Sequence, residues 1–483
     1  MANGNIPHPV QGSVGGKRFF LVGIGGSGMM PLATILRGRG GLVDGSDRGL
    51  DQGRVAAKFD ALRPLGIGLF PQDGSGIVSP DQIVVASAAV ENDVADIVAA
   101  ERLGCTRASR AALLSALFNQ SRLPIGVAGT SGKSTVTGMI GWILHATGRD
   151  PTVMNGAVMK NFALPDAPFA SALVGAGEAF VSEVDESDGS IADYRPRIAV
   201  LNNVSLDHKG LDELRRLFAD FIAKAETAIV NLDNDEAAAL AKALPDERVA
   251  TFGIERDADF AAFAIAEARF AVAFDLVAGG NAPIPVRLQV PGRHNVANAL
   301  AAIAATVAAG VPLAQAVEAI GGFTGLRRRF DLVGIAGQGA DGIAVIDDFG
   351  HNPDKIAATL DTLHTFPGRL LVLFQPHGYG PLKVMRHELV DMFAQRLAPG
   401  DVLILPDPVY FGGTVAREVG SADIVADVHA AGREAHHIPD RAEAAARLVA
   451  MARPGDRIVV MGARDDTLSL LAADMLASLR ATA

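Results

Sequence analysis

Along most of the chain, short apolar runs alternate with longer stretches in which apolar residues recur at helical spacing. Runs at residues 18–24, 66–70, 82–87, 125–128, 198–203 and 228–231 predict buried strands, as does the run from 179 up to the acid at Glu183. Runs at 343–346, 370–374, 402–405 and 457–461 continue the series. Strands separated by helical patterns predict βαβ units, hence an α/β fold built on mostly parallel sheets. Glycine turns, acids and histidines fall just past the ends of these runs, where open α/β sheets bind ligands. Alternation resumes at Thr251 and suggests small β-elements before Pro291, after which a long alanine-rich helix begins. The expected organisation is a leader over 1–16, a Rossmann-like domain over 17–122 and a central α/β domain over 123–324. A C-terminal Rossmann-like domain over 325–483 completes it, and residues 121–124 read as a short hinge between the first two domains.

The richest stretch is 124–140. Its strand breaks into Gly129-Thr130-Ser131-Gly132, and Lys133-Ser134-Thr135 open a helix. Backbone N–H groups of such a turn, with a helix N-terminus, cradle phosphate oxygens. Lys133 adds a point charge at the outer phosphates, and the Ser134 hydroxyl can hold Mg2+. The standard P-loop glycine five residues before Gly132 is replaced by Val127, so the loop is a variant; the plain alternative is an ordinary glycine-rich βα turn.

Gly23-Ile24-Gly25-Gly26-Ser27-Gly28 follows the first strand, with Asp47 downstream. That is the fingerprint of a dinucleotide or nucleotide-diphosphate turn, with Asp47 near a ribose or base. Five acids between Glu178 and Asp188 repel one another unless a cation or a solvated loop offsets them. On an extended chain Glu183 and Asp185 point to one face. Asp207-His208 ends the next strand, and His208 is by itself equally readable as a surface or capping histidine. Asn295 and Asn298 share a helix face and either present two amides to one ligand or form a cap plus a surface residue. Residues 327–329, three arginines at a domain boundary, are either a solvated charge run or a clamp closing on a neighbour's triphosphate.

Composition narrows the function classes. The chain has 483 residues, with 43 Lys and Arg against 54 Asp and Glu, a net charge of −11 that argues against a general nucleic-acid binder. A single cysteine, Cys105, excludes an internal disulfide framework and fits a reducing cytoplasm. The N-terminus lacks the basic-then-apolar order of a signal peptide. The longest uncharged run, 295–317, carries Asn298, Pro312 and Gln315 and reads as a core helix rather than a membrane span.

Six motifs together resemble the Mur ligase family. They are 129–135, the acids 183–188, Asp207-His208, Gly292-Arg293-His294-Asn295 with Asn298, Arg328-Arg329-Phe330, and Asp348-Phe349-Gly350-His351 with Pro353. They occur in the family's order, and the likeness runs from Phe19 to Gly462. Gly25 to Met29 and the acid run look most like the branch that joins L-alanine to UDP-N-acetylmuramate; the murein-tripeptide recycling branch shares them. The resemblance implies a UDP-sugar domain, an ATPase domain and a domain receiving the amino acid. It also implies a cytoplasmic ligase of peptidoglycan precursor synthesis, monomeric or homodimeric, using ATP and Mg2+ to form an acyl phosphate that an amine attacks. It assigns Lys133 to the outer phosphates, Ser134 and Glu183 to one magnesium ion, His208 with Glu183 to a second, and Asn295, Asn298, Arg329 and Asp348 to the nucleotide. Gly25, Gly26, Ser27 and Gly28 line the UDP diphosphate, with Asp47 and Ser87 nearby, and His351 and His377 lie on the amino-acid side.

Where relatives carry two arginines after Gln-Pro-His, this chain has Gly378 and Pro381, and neither can make a bidentate contact to a carboxylate. Lys383 or Arg386 would have to substitute, or the amine differs from L-alanine. Gly462-Ala463-Arg464-Asp465 also departs from the family text, and Ile222 stands where some relatives carry a carbamylated lysine. A ligase for another amine or a preformed peptide is thus the second reading. A nicotinamide-dependent oxidoreductase built on Gly23 to Gly28 is a third, and it leaves Lys133, Glu183 and His208 without a task. A non-catalytic ATP-binding paralogue is a fourth.

Overall fold

The structure is a computed structural model that describes residues 12–88, 90–164, 167–187, 189–205, 210–409, 417–463 and 465–482. It divides into two compact units. One comprises Met1–Ala266, Val272–Gln289 and Arg293–Gly325; the other comprises Glu267–Ala271, Val290–Gly292 and Leu326–Ala483.

The first unit holds two sheets. In the first sheet Arg18–Val22 is central, flanked by Leu42–Ser46 and then Gly68–Phe70 on one side. Gln82–Ala86 and then Thr106–Ser109 lie on the other, and all pairings are parallel. The central strand is apolar on both faces because helices cover both, and Phe19, Phe20 and Leu21 have no exposed surface. It stops two residues short of the expected end because Gly23 turns to φ +78°. Parallel pairing brings the carboxyl ends, with Gly23, Asp47, Ser87 and Arg110 just beyond them, to one edge.

In the second sheet Leu123–Ala128 lies between Ala179–Glu183 and Ile198–Leu201, parallel to both. The sheet extends through Thr227–Asn231 and Val249–Ile254 to the antiparallel pair Ala271–Ala278 and Ile284–Leu288. The uncharged run forms the helices Arg293–Ala308 and Leu313–Ile320, and the former packs against helix Lys133–Ala146 through buried alanines that permit close approach. Phe118 stands edge-on to Phe180 at 5.8 Å and to Tyr194 at 5.1 Å, joining the first sheet's last helix to the second sheet. Residues 121–124, expected as a hinge, are instead held: the Ser121 hydroxyl donates to the Glu178 carbonyl at 2.7 Å, and Leu123 already begins a strand.

The second unit is a parallel sheet of Ile343–Asp348, Arg457–Met461, Leu370–Phe374, Val402–Leu405 and Ala435–His437, with Asp331–Ala336 antiparallel at one edge. Helices Pro353–His364, Arg386–Arg396 and Ser421–Ala430 bury one face, and Arg441–Met451 with Thr467–Thr482 bury the other. Thr106–Ser109, Thr152–Met154, Ala172–Leu173, Asp331–Ala336 and Ala435–His437 had no counterpart in the sequence pattern. Most are two to four residues long or sit at a sheet edge, too short or too mixed to show alternation.

Candidate functional site

The phosphate loop has the conformation its glycines require. Gly129 and Gly132 take φ +138° and +82°, a region other L-residues rarely enter. A Cβ on Gly132 would stand 2.3 Å from Asn202 Nδ2, so space forbids a side chain as well. The neighbouring strand Ile198–Leu201 ends in Asn202 and Asn203, which hold the loop. Asn203 Oδ1 accepts from the Thr130 hydroxyl and the Ser131 N–H, both at 2.8 Å, and Asn202 Nδ2 donates to the Ser131 carbonyl at 3.1 Å.

Behind the loop, Lys133 and Ser134 each meet an acid at or just past the end of the adjacent strand. The Lys133 ammonium donates to Glu186 Oε2 at 2.8 Å and to the Gly129 carbonyl at 2.7 Å. The Ser134 hydroxyl donates to Glu183 Oε2 at 2.7 Å, and Asn155 Nδ2 fixes the Ser134 carbonyl at 2.9 Å. Gly156 makes room for this carboxylate, since a Cβ there would lie 2.1 Å from Glu183 Oε1. Thr135 follows within the same helix.

The pairing expected of Glu183 and Asp185 needs correction. The strand ends at Glu183, so period-two alternation stops there, and Glu186 rather than Asp185 meets Lys133. Asp185 accepts from the Ser187 N–H at 2.9 Å. Burial raises its pKa, but that hydrogen bond, Lys133 and Arg110 outweigh burial and hold the carboxyl below its ordinary range. Asp207, His208 and Asp188 lie outside the described residues.

Asn295 and Asn298 do share a face, and it is buried. Asn298 Nδ2 donates to Asn295 Oδ1 at 3.1 Å, and Asn202 Nδ2 donates to Asn298 Oδ1 at 3.1 Å, tying the long helix to the phosphate loop. Asn202 Oδ1 is buried with no hydrogen-bond partner among the described residues. Asn202, Asn203, Asn155 and Glu186 were missed as site residues. Their signal was polarity at or shortly past a strand end, the same signal that singled out Glu183.

At the first sheet's edge, Gly23 N–H and Ile24 N–H donate to the Ser46 carbonyl at 2.8 and 2.9 Å. Asp47 Oδ2 accepts from the Gly25 N–H at 2.8 Å and Oδ1 from the Gly49 N–H at 2.7 Å. The carboxylate expected near a ribose or base therefore braces the glycine turn itself. Gly25 is buried against Phe59 and Asp47, whereas Gly26 and Ser27 are exposed at the mouth of the turn. Ser87 is half-buried beside them in the fold, just past Gln82–Ala86.

In the second unit, Asp348 is buried with both oxygens on backbone donors, the Phe330 N–H and the Gly350 N–H, each at 2.7 Å. It shapes the turn carrying Arg328 and Arg329. Arg329 stacks over Phe349 with its guanidinium carbon 4.5 Å from the ring centre. Arg328 donates to the carbonyls of Asp465 and Gly462, and Arg464 lies outside the described residues. His351 packs edge-on to His377 at 5.3 Å, with Nδ1 3.0 Å from the Phe349 carbonyl. A carbonyl only accepts, so Nδ1 carries the hydrogen and Nε2 keeps its lone pair. Burial, with Lys355, His377 and Arg329 nearby, lowers the His351 pKa to about 4, so the ring is neutral. Lys383 pairs with Glu418, and Arg386 pairs with Asp427 at 2.7 Å. The two cations expected to replace the missing arginines are each already matched by a carboxylate of this chain.

A glycine-cradled lysine, a serine against a strand-end carboxylate and parallel α/β sheets define a P-loop-type nucleotide-binding protein. Comparison with known proteins narrows that class. Residues 19–122 match the Mur ligase family catalytic domain, 127–306 the Mur ligase middle domain, and 328–464 the Mur ligase glutamate ligase domain. The chain is 35% identical to the UDP-N-acetylmuramate–L-alanine ligase of Streptomyces coelicolor over 92% of this chain and 94% of that one. It is 34% identical to the ligase of that name from Mycobacterium avium, over 97% and 96%. The solved UDP-N-acetylmuramate–alanine ligase of Thermotoga maritima superposes with a TM-score of 0.78 at 25% identity, covering 96% of this chain and all of that one. The murein peptide ligase of Psychrobacter arcticus shares the fold, with a TM-score of 0.69 at 24% identity over 96% of this chain and 99% of that one. The chain belongs to the Mur ligase family, with its three α/β domains.

Proposed function

We propose that the protein is an ATP-dependent ligase that joins UDP-N-acetylmuramate to an amino acid, L-alanine by default, in cytoplasmic synthesis of peptidoglycan precursors. The observation that carries this reading is the 2.7 Å contact of Ser134 with Glu183 beside Lys133, at the head of a glycine loop. Two oxygen donors with a lysine beside them suit a Mg2+-bound triphosphate. Ser134 and Glu183 would hold one ion, with His208 expected to join Glu183 at a second, and these ions would supply charge neutralisation on the phosphate oxygens.

In this reading the sugar's carboxylate oxygen attacks the terminal phosphorus of ATP, and ADP leaves with the bridging oxygen. The amine nitrogen then adds to the acyl phosphate carbon, the C–O bond to phosphate breaks, and the ammonium proton is lost as the amide forms. Lys133 and the loop N–H groups stabilise charge on the transferring group. Neutral His351 offers an acceptor nitrogen on the amino-acid side.

A second reading, a ligase for a different amine or a preformed peptide, is favoured by Gly378 and Pro381 together with the paired Lys383 and Arg386. Phosphate release with UDP-N-acetylmuramate against a panel of amino acids and short peptides, with products weighed by mass spectrometry, tests both. Tight saturation by L-alanine supports the first reading, and product only with a peptide supports the second. No ADP from any acceptor defeats both.

A further inference from the structure

Arg110 is the first residue of helix Arg110–Asn119, fixed by Ser109, whose hydroxyl accepts from the Ala112 N–H at 3.1 Å. It follows the last strand of the first sheet, so it emerges on the same edge as Gly23, Asp47 and Ser87. From there its side chain lies over the glycine turn. A Cβ built on Gly28 would stand 2.9 Å from Arg110 Nη1, 3.1 Å from Cδ and 3.3 Å from Cζ. The backbone of Gly28, at φ −99° and ψ −19°, would suit any residue, so the arginine and not the conformation calls for glycine here. Arg110 also lies near enough to Asp185 to help Lys133 hold that carboxyl below its ordinary range. A guanidinium is thus held at the turn by fixed geometry, next to an anion that balances it.

We propose that Arg110 is a binding residue for the UDP-sugar, its planar fork gripping the diphosphate where the substrate passes over Gly28. The inference rests on reading the glycine turn as the UDP-sugar site. Guanidinium and phosphate match in charge and in hydrogen-bond geometry, and lysine reproduces only the charge.

Calorimetry on the full chain tests this with UDP-N-acetylmuramate, UDP, uridine and a non-hydrolysable ATP analogue as probes. Arg110→Met should weaken UDP-N-acetylmuramate and UDP by roughly 10- to 100-fold, the loss of a charge-assisted contact. Uridine and the ATP analogue should bind within about twofold of wild type, and Arg110→Lys should recover part of the loss. Gly28→Ala, which displaces the guanidinium, should weaken UDP in wild type but add little in the Arg110→Met background. Unchanged UDP binding by Arg110→Met overturns the proposal. Equal loss of uridine and the ATP analogue also overturns it, since Arg110 would then only hold the fold. A wild-type chain that binds none of the UDP probes, while still binding the ATP analogue, defeats the reading of the turn itself.

Discussion

The Ser134 hydroxyl and Glu183 Oε2 stand 2.7 Å apart, one from the first turn of a helix and one from the end of the neighbouring strand. Two hard oxygen donors at that separation can share one small divalent cation, with the hydroxyl turning its hydrogen away. Ser134→Ala should raise the Mg2+ concentration needed for half-maximal activity at least tenfold. The fold should lose only about 1 kcal/mol, one hydrogen bond's worth. Activity titrated with Mg2+ at saturating ATP checks this, and an unmoved midpoint would remove Ser134 from the metal site.

Lys133 and Glu186 form a pair whose carboxylate is nearly buried, with 7% of its side chain exposed. Removing one partner of such a pair leaves the other charge uncompensated, at roughly 3–5 kcal/mol for full burial and less for a lysine open on one side. Glu186→Gln should therefore lower the melting temperature of the empty protein, and an ATP analogue should restore it because phosphate supplies the missing anion. The ligand-induced rise in Tm should be larger in the variant than in wild type. Equal rises in the two proteins would mean that Lys133 does not meet the phosphates.

Gly132→Ala places a Cβ at φ +82°, 2.3 Å from Asn202 Nδ2 and 2.8 Å from Asn298 Oδ1. Left-handed backbone costs an alanine about 1–2 kcal/mol, and the amide network must also shift. We expect ATP-analogue affinity to fall at least tenfold while UDP-N-acetylmuramate affinity stays within about twofold, measured by calorimetry on one preparation. Equal binding of the analogue by both proteins would argue against this loop as the triphosphate cradle.

Asp347 gives a stability signature in pH. Burial raises its pKa to about 6, against the lowering effects of Arg328 and of Ser469, whose hydroxyl donates at 2.6 Å. Between about 3.9, the unfolded value, and the folded value, the folded chain holds more protons than the unfolded one. Stability from this group is therefore fully present at low pH and is lost as pH rises through that window. From pH 4 to pH 7 the wild type should lose roughly 2 kcal/mol relative to Asp347→Asn. His351, lowered to about 4 by burial, works in the opposite sense, favouring the folded state as pH rises, so comparison with the Asp347→Asn variant is what isolates Asp347. Urea midpoints across that range provide the measurement, and parallel curves would refute the assignment.

Much of the site was legible because it sits on strand ends. Residues 125–128 are apolar enough to be buried, and the glycines after them admit one kind of turn, so Lys133 and Ser134 were placed from local text alone. Glu183 was found the same way. Glu186 was not, since strand alternation predicts Asp185 on its face, and only the point where the strand stops shows the alternation ending. Asp47 and Asp348 were recognised as special, but the turn that each one braces was not foreseen. Each binds backbone N–H groups of its own turn, and a carboxylate near a ligand reads no differently in sequence from one that builds the turn beneath it.

By itself the sequence determined the α/β class, the places of most central strands, the variant phosphate loop, and the absence of arginine at 378 and 381. These follow from periodicity and from conformations that only certain residues adopt. Tertiary structure alone decided which acid meets which cation. It brought Asn202, 71 and 96 positions from its partners Ser131 and Asn298, into one network, and it laid Arg110 over Gly28. Those contacts join residues far apart in the chain, and their geometry depends on where strands end and helices pack.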